Sequence, residues 1–302
     1  MVVGAHLAGI GLAIGAAVCS AVSNLSVRKG TEGGRTSDAI LLVAVCNVAI
    51  LLPIVAVVYY PDYGLTRTSL LSFVVAGVLG TLIGRALMFT SIDRIGASRT
   101  APIIASWALI STGLGVIFLD ETLSLTHGVG VVLVVSGIAV IAWRTSNDNA
   151  AALSRRELLI GLSIPFLAAV AVGWEPIFAN VGFDEGTPAL VGLLLKSIAA
   201  VTGIAGYLWW RGALPAATTL RGQNAQWFVF AGVTNTLFLL GYYVALTIAP
   251  VNVVSPLIVT NTLFVVVLSA LFMPERLERV SWQLLAASAV VVAGVALITV
   301  SG

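Results

Sequence analysis

The sequence predicts an all-α integral membrane protein of ten transmembrane helices, arranged as two inverted five-helix repeats, and three observations carry that prediction. Of its 302 residues, 59% are hydrophobic and 9% charged, against about 25% charged in soluble domains, so lipid rather than water is the solvent. Apolar stretches of about 20 residues recur from end to end, each long enough at about 1.5 Å rise per residue to cross a hydrocarbon core of about 30 Å. Finally, FVVAGVLGTL from Phe73 to Leu82 returns as FVFAGVTNTL from Phe228 to Leu237, identical at seven of ten positions.

Charged residues, Gly, Pro and Asn punctuate the chain into helices at 7–28, 38–60, 69–93, 97–119, 124–143, 158–181, 188–210, 225–247, 250–273 and 280–300. Helices are required because lipid-exposed backbone must satisfy its own hydrogen bonds, and the runs are too long and too evenly apolar for barrel strands. The first segment has no Lys or Arg before Leu7 and no clear small-residue cleavage site after it, so a retained helix is expected rather than a signal peptide. Cys19 and Cys46 fall inside the first two helices and read as small buried hydrophobes. The polar run from Arg144 to Glu157 sits at mid-chain and divides it into a first repeat (residues 1–143), a linker (144–157) and a second repeat (158–302).

The repeat extends with a one-residue change of register, pairing Pro102 with Pro256, Leu109 with Leu263, Phe118 with Phe272, Glu121 with Glu275 and Leu123 with Leu277. An odd number of helices per repeat makes the second copy enter the membrane in the opposite sense, about a pseudo-two-fold axis in the membrane plane. In such proteins the substrate lies near the midplane, and rocking of the halves exposes it to each side in turn. Gly11 and Gly15, and Gly80 and Gly84, fall four apart on one helix face and allow close backbone approach. That spacing leaves a monomer and a homodimer both open.

Positive charge is lopsided. Connections after odd-numbered helices hold Arg28, Lys29, Arg35, Arg94, Arg99, Arg144, Arg155, Arg156, Arg211, Arg221, Arg276 and Arg279, whereas the other face holds Arg67. The positive-inside rule then places the odd connections in the cytoplasm and both termini outside. The small net charge of +2, spread over loops, points to no nucleic-acid partner.

Ionisable groups inside a membrane cost at least about 2.5–3.5 kcal/mol at a helix centre and are functional candidates by default. Glu175 and Lys196 lie at similar depth from one side and can pair across the sixth and seventh helices. Glu175 is flanked by Trp174 and by Pro176, which frees the carbonyl of Val172 and kinks the helix. Two readings of Glu175 stand: a carboxyl poised to exchange a coupling proton, or one half of a fixed ion pair. Arg85, in the third helix, reads either as an anion-binding or gating group or as a side chain that snorkels to the surface. Asn24, Asn47, Asn235 and Asn261 are intramembrane amides able to bind substrate or bridge helices, and Trp107 aligns with Asn261 across the repeat. Glu121 and Glu275 close helices at the membrane surface, and Trp209, Trp210, Tyr59 and Tyr60 read as interfacial anchors.

The segment IGASRTAPI, its helix and FLDETLSLTHGVGVVLVVSG, with the second copy VNVVSPLIV and FMPERLERVSWQLLAASAVVVAGV, resembles the EamA type of the drug/metabolite transporter superfamily. A small-residue turn, a Pro early in helix 4, a closing Glu and a Gly-containing helix 5 carry that resemblance, which covers nearly the whole chain. It implies a ten-helix carrier of two EamA-like repeats in a prokaryotic inner membrane, exporting amino acids or related small metabolites. It also implies termini in the cytoplasm, opposite to the charge count. No cofactor or metal is expected, since HExxH, GxSxG, His/Cys clusters and Walker-type phosphate loops are all missing from the sequence. An intramembrane enzyme or an ATP-driven pump is thereby disfavoured, whereas a passive channel or lipid flippase remains an alternative.

Overall fold

The computed structural model of the chain describes residues 2–31, 36–95, 100, 103–145, 155–214, 225–272 and 282–301. Among them every regular element is helical: α1 (Val2–Gly30), α2 (Thr36–Val58), α3 (Arg67–Ala76), a π-helical stretch (Gly77–Ile83), α4 (Gly84–Ile95), α5 (Trp107–Phe118), α6 (Leu125–Thr145), α7 (Arg155–Asp184), α8 (Ala189–Trp210), α9 (Ala225–Ile248), α10 (Val251–Val259), α11 (Asn261–Phe272) and α12 (Trp282–Ser301). Seven helical runs among the described residues are long and apolar enough to cross a membrane. Three shorter apolar helices cover Ile103–Phe118, Leu125–Ile141 and Ala286–Val300.

Three expectations need correction. The segment 144–157 is not a linker throughout, because α6 runs to Thr145 and α7 begins at Arg155. The helix expected at 69–93 is not uniformly α-helical, since Gly77–Ile83 widens into a π-helix. The helix expected at 250–273 breaks at Thr260, where φ −62° and ψ −9° leave the chain between α10 and α11. Pro256 lacks an amide to continue the ladder, and the Thr260 hydroxyl donates to the Leu257 carbonyl at 2.6 Å. The same device stands at Ser106, with φ −66° and ψ −9°, whose hydroxyl donates to the Ile103 carbonyl at 2.6 Å. Ser106 and Thr260 occupy matching positions of the repeat; Pro102 and Glu275 lie outside the described residues.

Glycines set how closely the helices pack. α1 and α9 run antiparallel: Gly9 meets Ala249, Gly241 meets Ala16, and the Ser23 hydroxyl donates to the Ala231 carbonyl at 2.9 Å. α7 runs antiparallel to α3 and its π-helical continuation, with Gly182 on Phe73 and Gly80 on Glu175. The corresponding phenylalanines of the two repeat stretches thus behave alike, Phe73 lying on Gly182 and Phe228 on Gly30. The glycines four residues on do as well: Gly77 faces the Lys196 backbone of α8, and Gly232 faces Cys46 of α2. Two units result, one of α1, α2 and α9, the other of α3, the π-helical stretch, α4, α7 and α8. Each mixes the two halves of the chain. α6 and α12 pack on each other through Gly130, Gly137 and Gly294.

An aromatic seam joins the two units, from Phe73 to Phe183 (ring centroids 5.5 Å), Phe183 to Tyr243 (5.7 Å) and Tyr243 to Tyr242 (5.8 Å). At the same end of the bundle the Glu121 carboxylate accepts from the first backbone amides of α10, Val251 at 2.5 Å and Asn252 at 2.9 Å. The Asn252 carbonyl in turn bonds His127 Nε2 at 3.0 Å. Burial pushes the Glu121 carboxyl above its ordinary value, while the two amides pull it back. Trp209, Trp210 and Tyr60 are exposed, as interfacial anchors should be, but Tyr59 packs against the core. Cys19 and Cys46 are free thiols.

Glu121 therefore acts as an N-terminal cap supplied in trans across the repeats, and Glu121→Ala is expected to lower stability by about 1–2 kcal/mol. Thermal unfolding in detergent measures this. An unchanged midpoint would show that the cap contributes nothing.

Candidate functional site

A cavity of about 560 Å³ lies between the two units. Its lining reaches from a floor at Phe238 and Tyr242 to Asn24, Met88, Ile92 and Thr100, toward the helix ends marked by Arg28, Lys29 and Arg94. Arg85, Trp107, Glu175, Lys196, Asn24, Asn47, Asn235 and Asn261 all line it. Residues from eight helices, singled out in the sequence, are thus brought to one space.

Glu175 and Lys196 form an ion pair between α7 and α8, at 7% and 4% relative exposure. Such depth requires the charges to satisfy each other. The pair is possible because the π-helical stretch carries glycines toward it: a Cβ at Gly80 would collide with the Glu175 carboxyl group, and one at Gly77 would lie 2.5 Å from the Lys196 carbonyl oxygen. The Lys196 ammonium also sits 5.0 Å from the centroid of the Tyr243 ring, a cation–π contact. Tyr243 is fully buried and its hydroxyl has no hydrogen-bond partner among the described residues.

Arg85 differs from Lys196. It is half-buried on the cavity wall and, among the described residues, has no carboxylate within ion-pair distance. The opposite wall is neutral. Asn47 donates to the Asn235 side-chain oxygen at 3.0 Å and accepts from the Thr236 hydroxyl at 2.9 Å, while Asn261 donates to the Ser20 hydroxyl at 3.0 Å. These amides bridge helices and face the cavity at once.

Trp174 is the candidate that the fold places elsewhere. One residue along a helix turns a side chain by about 100°, so with Glu175 in the cavity wall Trp174 points away. It packs between Phe118 and Phe178 at ring distances of 5.0 and 5.6 Å. Conversely, Tyr242, Phe238, Ser20, Ser197 and Thr262 line the cavity without having been singled out by the sequence. A tyrosine inside an apolar run reads as core or interface, although the adjacent pair Tyr242–Tyr243 at mid-helix was a visible signal.

Residues 7–143 match the EamA-like transporter family. A Methanocaldococcus jannaschii protein described as uncharacterized is 26% identical over 95 residues, which make up 32% of this chain and 69% of that protein. A protein crystal structure with 14% sequence identity superposes with a TM-score of 0.79 over 98% of both chains, a likeness of fold.

Removing one member of the buried pair leaves an uncompensated charge, at a cost of about 3–5 kcal/mol. Glu175→Gln and Lys196→Met should each depress the thermal midpoint, and the double variant should recover most of the loss. Additive losses in the double variant would show that the two side chains act independently.

Proposed function

We propose that this chain is an EamA-type member of the drug/metabolite transporter superfamily and a secondary active transporter of small polar metabolites, a reading supported by the match of residues 7–143 to the EamA-like transporter family and by the seven helical runs long and apolar enough to cross a membrane. The observation that carries the proposal is the cavity between the two units, with Arg85, Glu175 and Lys196 on one wall and Asn47, Asn235 and Asn261 on the other. It is large enough for an amino acid or a related compound, and the family resemblance favours export from a prokaryotic cell. Residues 1–143 and 158–302 are read as the two EamA-like repeats of a ten-span inverted fold. The paired breaks at Ser106 and Thr260, and the paired contacts of Phe73 and Phe228, support that reading.

Alternating access follows from the same layout. The aromatic seam closes one end of the cavity, and its lining leads toward the other. Helices broken at the substrate level, as at Thr260 and Ser106, let each half-helix move with a different neighbour. Glu175 is the group proposed to exchange a proton, because it lies in the cavity wall and its charge is balanced by a neighbour rather than by solvent. Protonation would release Lys196 and change the charge of the wall as the seam opens.

In proteoliposomes, labelled amino acids and their deaminated or acylated derivatives should show saturable counterflow, which separates a carrier from a channel. An imposed pH gradient should drive accumulation in the wild type. The Glu175→Gln/Lys196→Met double variant, which leaves the net charge of the wall unchanged and avoids an unpaired member of the buried pair, should retain counterflow and lose pH-driven accumulation. Undiminished pH-driven accumulation in that variant would remove Glu175 from the proton path.

A further inference from the structure

The cavity's charges identify the class of molecule it accepts. Of the three lining residues that carry charge, Glu175 and Lys196 are spent on each other, and the Glu175 carboxyl is also wedged against Gly80. Arg85 alone among them makes no ion pair among the described residues, although the Glu175 charge acts on it from a distance. A guanidinium on a membrane-depth wall is costly unless an anion meets it. Its planar fork is also shaped to take a carboxylate or similar oxyanion through two parallel hydrogen bonds.

The complementary test is whether the cavity could also receive an ammonium group, and the lining argues against it. Among the described residues no second carboxylate lines the cavity. The amide oxygens of Asn47, Asn235 and Asn261 already accept hydrogen bonds from Thr236, Asn47 and Thr262. The hydroxyl of Ser197 is turned to the Leu193 carbonyl. The remaining polar groups, such as the Asn24 amide and the Thr81 hydroxyl, are neutral, and the rest is apolar or aromatic, including Trp107, Met88, Ile92 and the stacked pair Phe238–Tyr242, with ring planes 10° apart and centroids at 6.1 Å. A zwitterion would satisfy Arg85 and leave its own ammonium with neutral acceptors and no free carboxylate among the described residues.

We infer that the transported molecule is a small organic monoanion, one carboxylate or equivalent oxyanion on an apolar or aromatic body, held by Arg85. Its amine, if it derives from an amino acid, is absent, oxidised to a carbonyl or acylated. This narrows the proposed function and rests on it. Bound substrate and Arg85 cancel each other's charge, so the loaded cavity is neutral and the empty one carries the surplus.

The test uses the purified full-length protein and five probes on one aromatic body: 3-phenylpropanoate and N-acetylphenylalanine as anions, 3-phenylpropanamide as the neutral form, 3-phenylpropylamine as the cation and phenylalanine as the zwitterion. Ligand-induced thermal shift and calorimetry should show the two anions binding at least tenfold more tightly than the other three. Arg85→Gln should abolish that preference, and Arg85→Lys should restore part of it. The unliganded midpoint of Arg85→Gln should equal or exceed the wild-type midpoint, since an unpartnered cation is being removed. A lowered midpoint that Arg85→Lys repairs, with the anion preference intact in Arg85→Gln, would make Arg85 a structural residue and overturn the inference. So would failure of both anions to bind, or equal binding of the amine or the zwitterion. Counterflow of labelled N-acetylphenylalanine separates the two levels. Arg85-dependent binding without counterflow would refute the carrier and leave the anion site. Counterflow of phenylalanine that is indifferent to Arg85→Gln would keep the carrier and refute the anion class.

Discussion

The buried ion pair between Glu175 and Lys196 constrains more of this molecule than any other contact. Two full charges at membrane depth are tolerable only when they touch, and α3 with its π-helical continuation, which packs on both α7 and α8, holds those two helices where their side chains meet. The pair also needs a third backbone thin enough to pass beside it. Gly77 and Gly80 supply that thinness, and the wide turn of the π-helical stretch presents them both to the pair. A π-helical turn is a costly local structure that persists at functional sites. Here it is the means by which a helix from the first half of the chain reaches a charge pair belonging to the second.

The duplicated frame is used asymmetrically. Gly80 and Asn235 stand at the same position of the repeated stretch, yet one yields space to a carboxylate while the other offers an amide to Asn47. One backbone plan therefore gives a charged wall on one unit and a neutral hydrogen-bonding wall on the other. A substrate lying between them meets a point of strong attraction at Arg85 and a set of weaker, directional contacts opposite. Strength and orientation are thereby assigned to different helices. Because each unit takes helices from both halves, a movement of one unit against the other changes both walls together.

How much of this could be read from the residues depends on which force set each feature. Helix positions were legible because lipid imposes length and apolarity on every span, and the pairing of Glu175 with Lys196 was legible because charges in apolar runs are few and their depth can be counted from the nearest turn. The π-helical stretch and the break at Thr260 were not. They are choices among backbone hydrogen bonds, decided by how a glycine face packs and by whether a hydroxyl captures a nearby carbonyl. The glycine spacing at Gly80 and Gly84 was visible, but read as helix packing alone. Trp174 misled because adjacency in sequence to Glu175 is separation in direction on a helix. Tyr242 escaped because an aromatic ring in an apolar run looks the same whether it faces core, lipid or cavity.

The aromatic seam is where the proposed alternation has to act, and its energetics favour a closure that can be undone. Phe73, Phe183, Tyr243 and Tyr242 interlock across the two units through ring contacts, each worth only about 0.5–1.5 kcal/mol beyond area burial. Against this stands the Tyr243 hydroxyl, fully buried without a hydrogen-bond partner among the described residues, an arrangement that costs about 1–3 kcal/mol. Opening the seam to water would satisfy that hydroxyl while the ring contacts are lost. Lys196 lies over the same ring, so the group that holds the Glu175 charge is also part of the seam. A change in the protonation of Glu175 would be felt by Lys196 and passed to Tyr243 within one contact. The charge pair and the aromatic seam thus meet at one contact, between Lys196 and the Tyr243 ring, and the proposed alternation would have to act on both together.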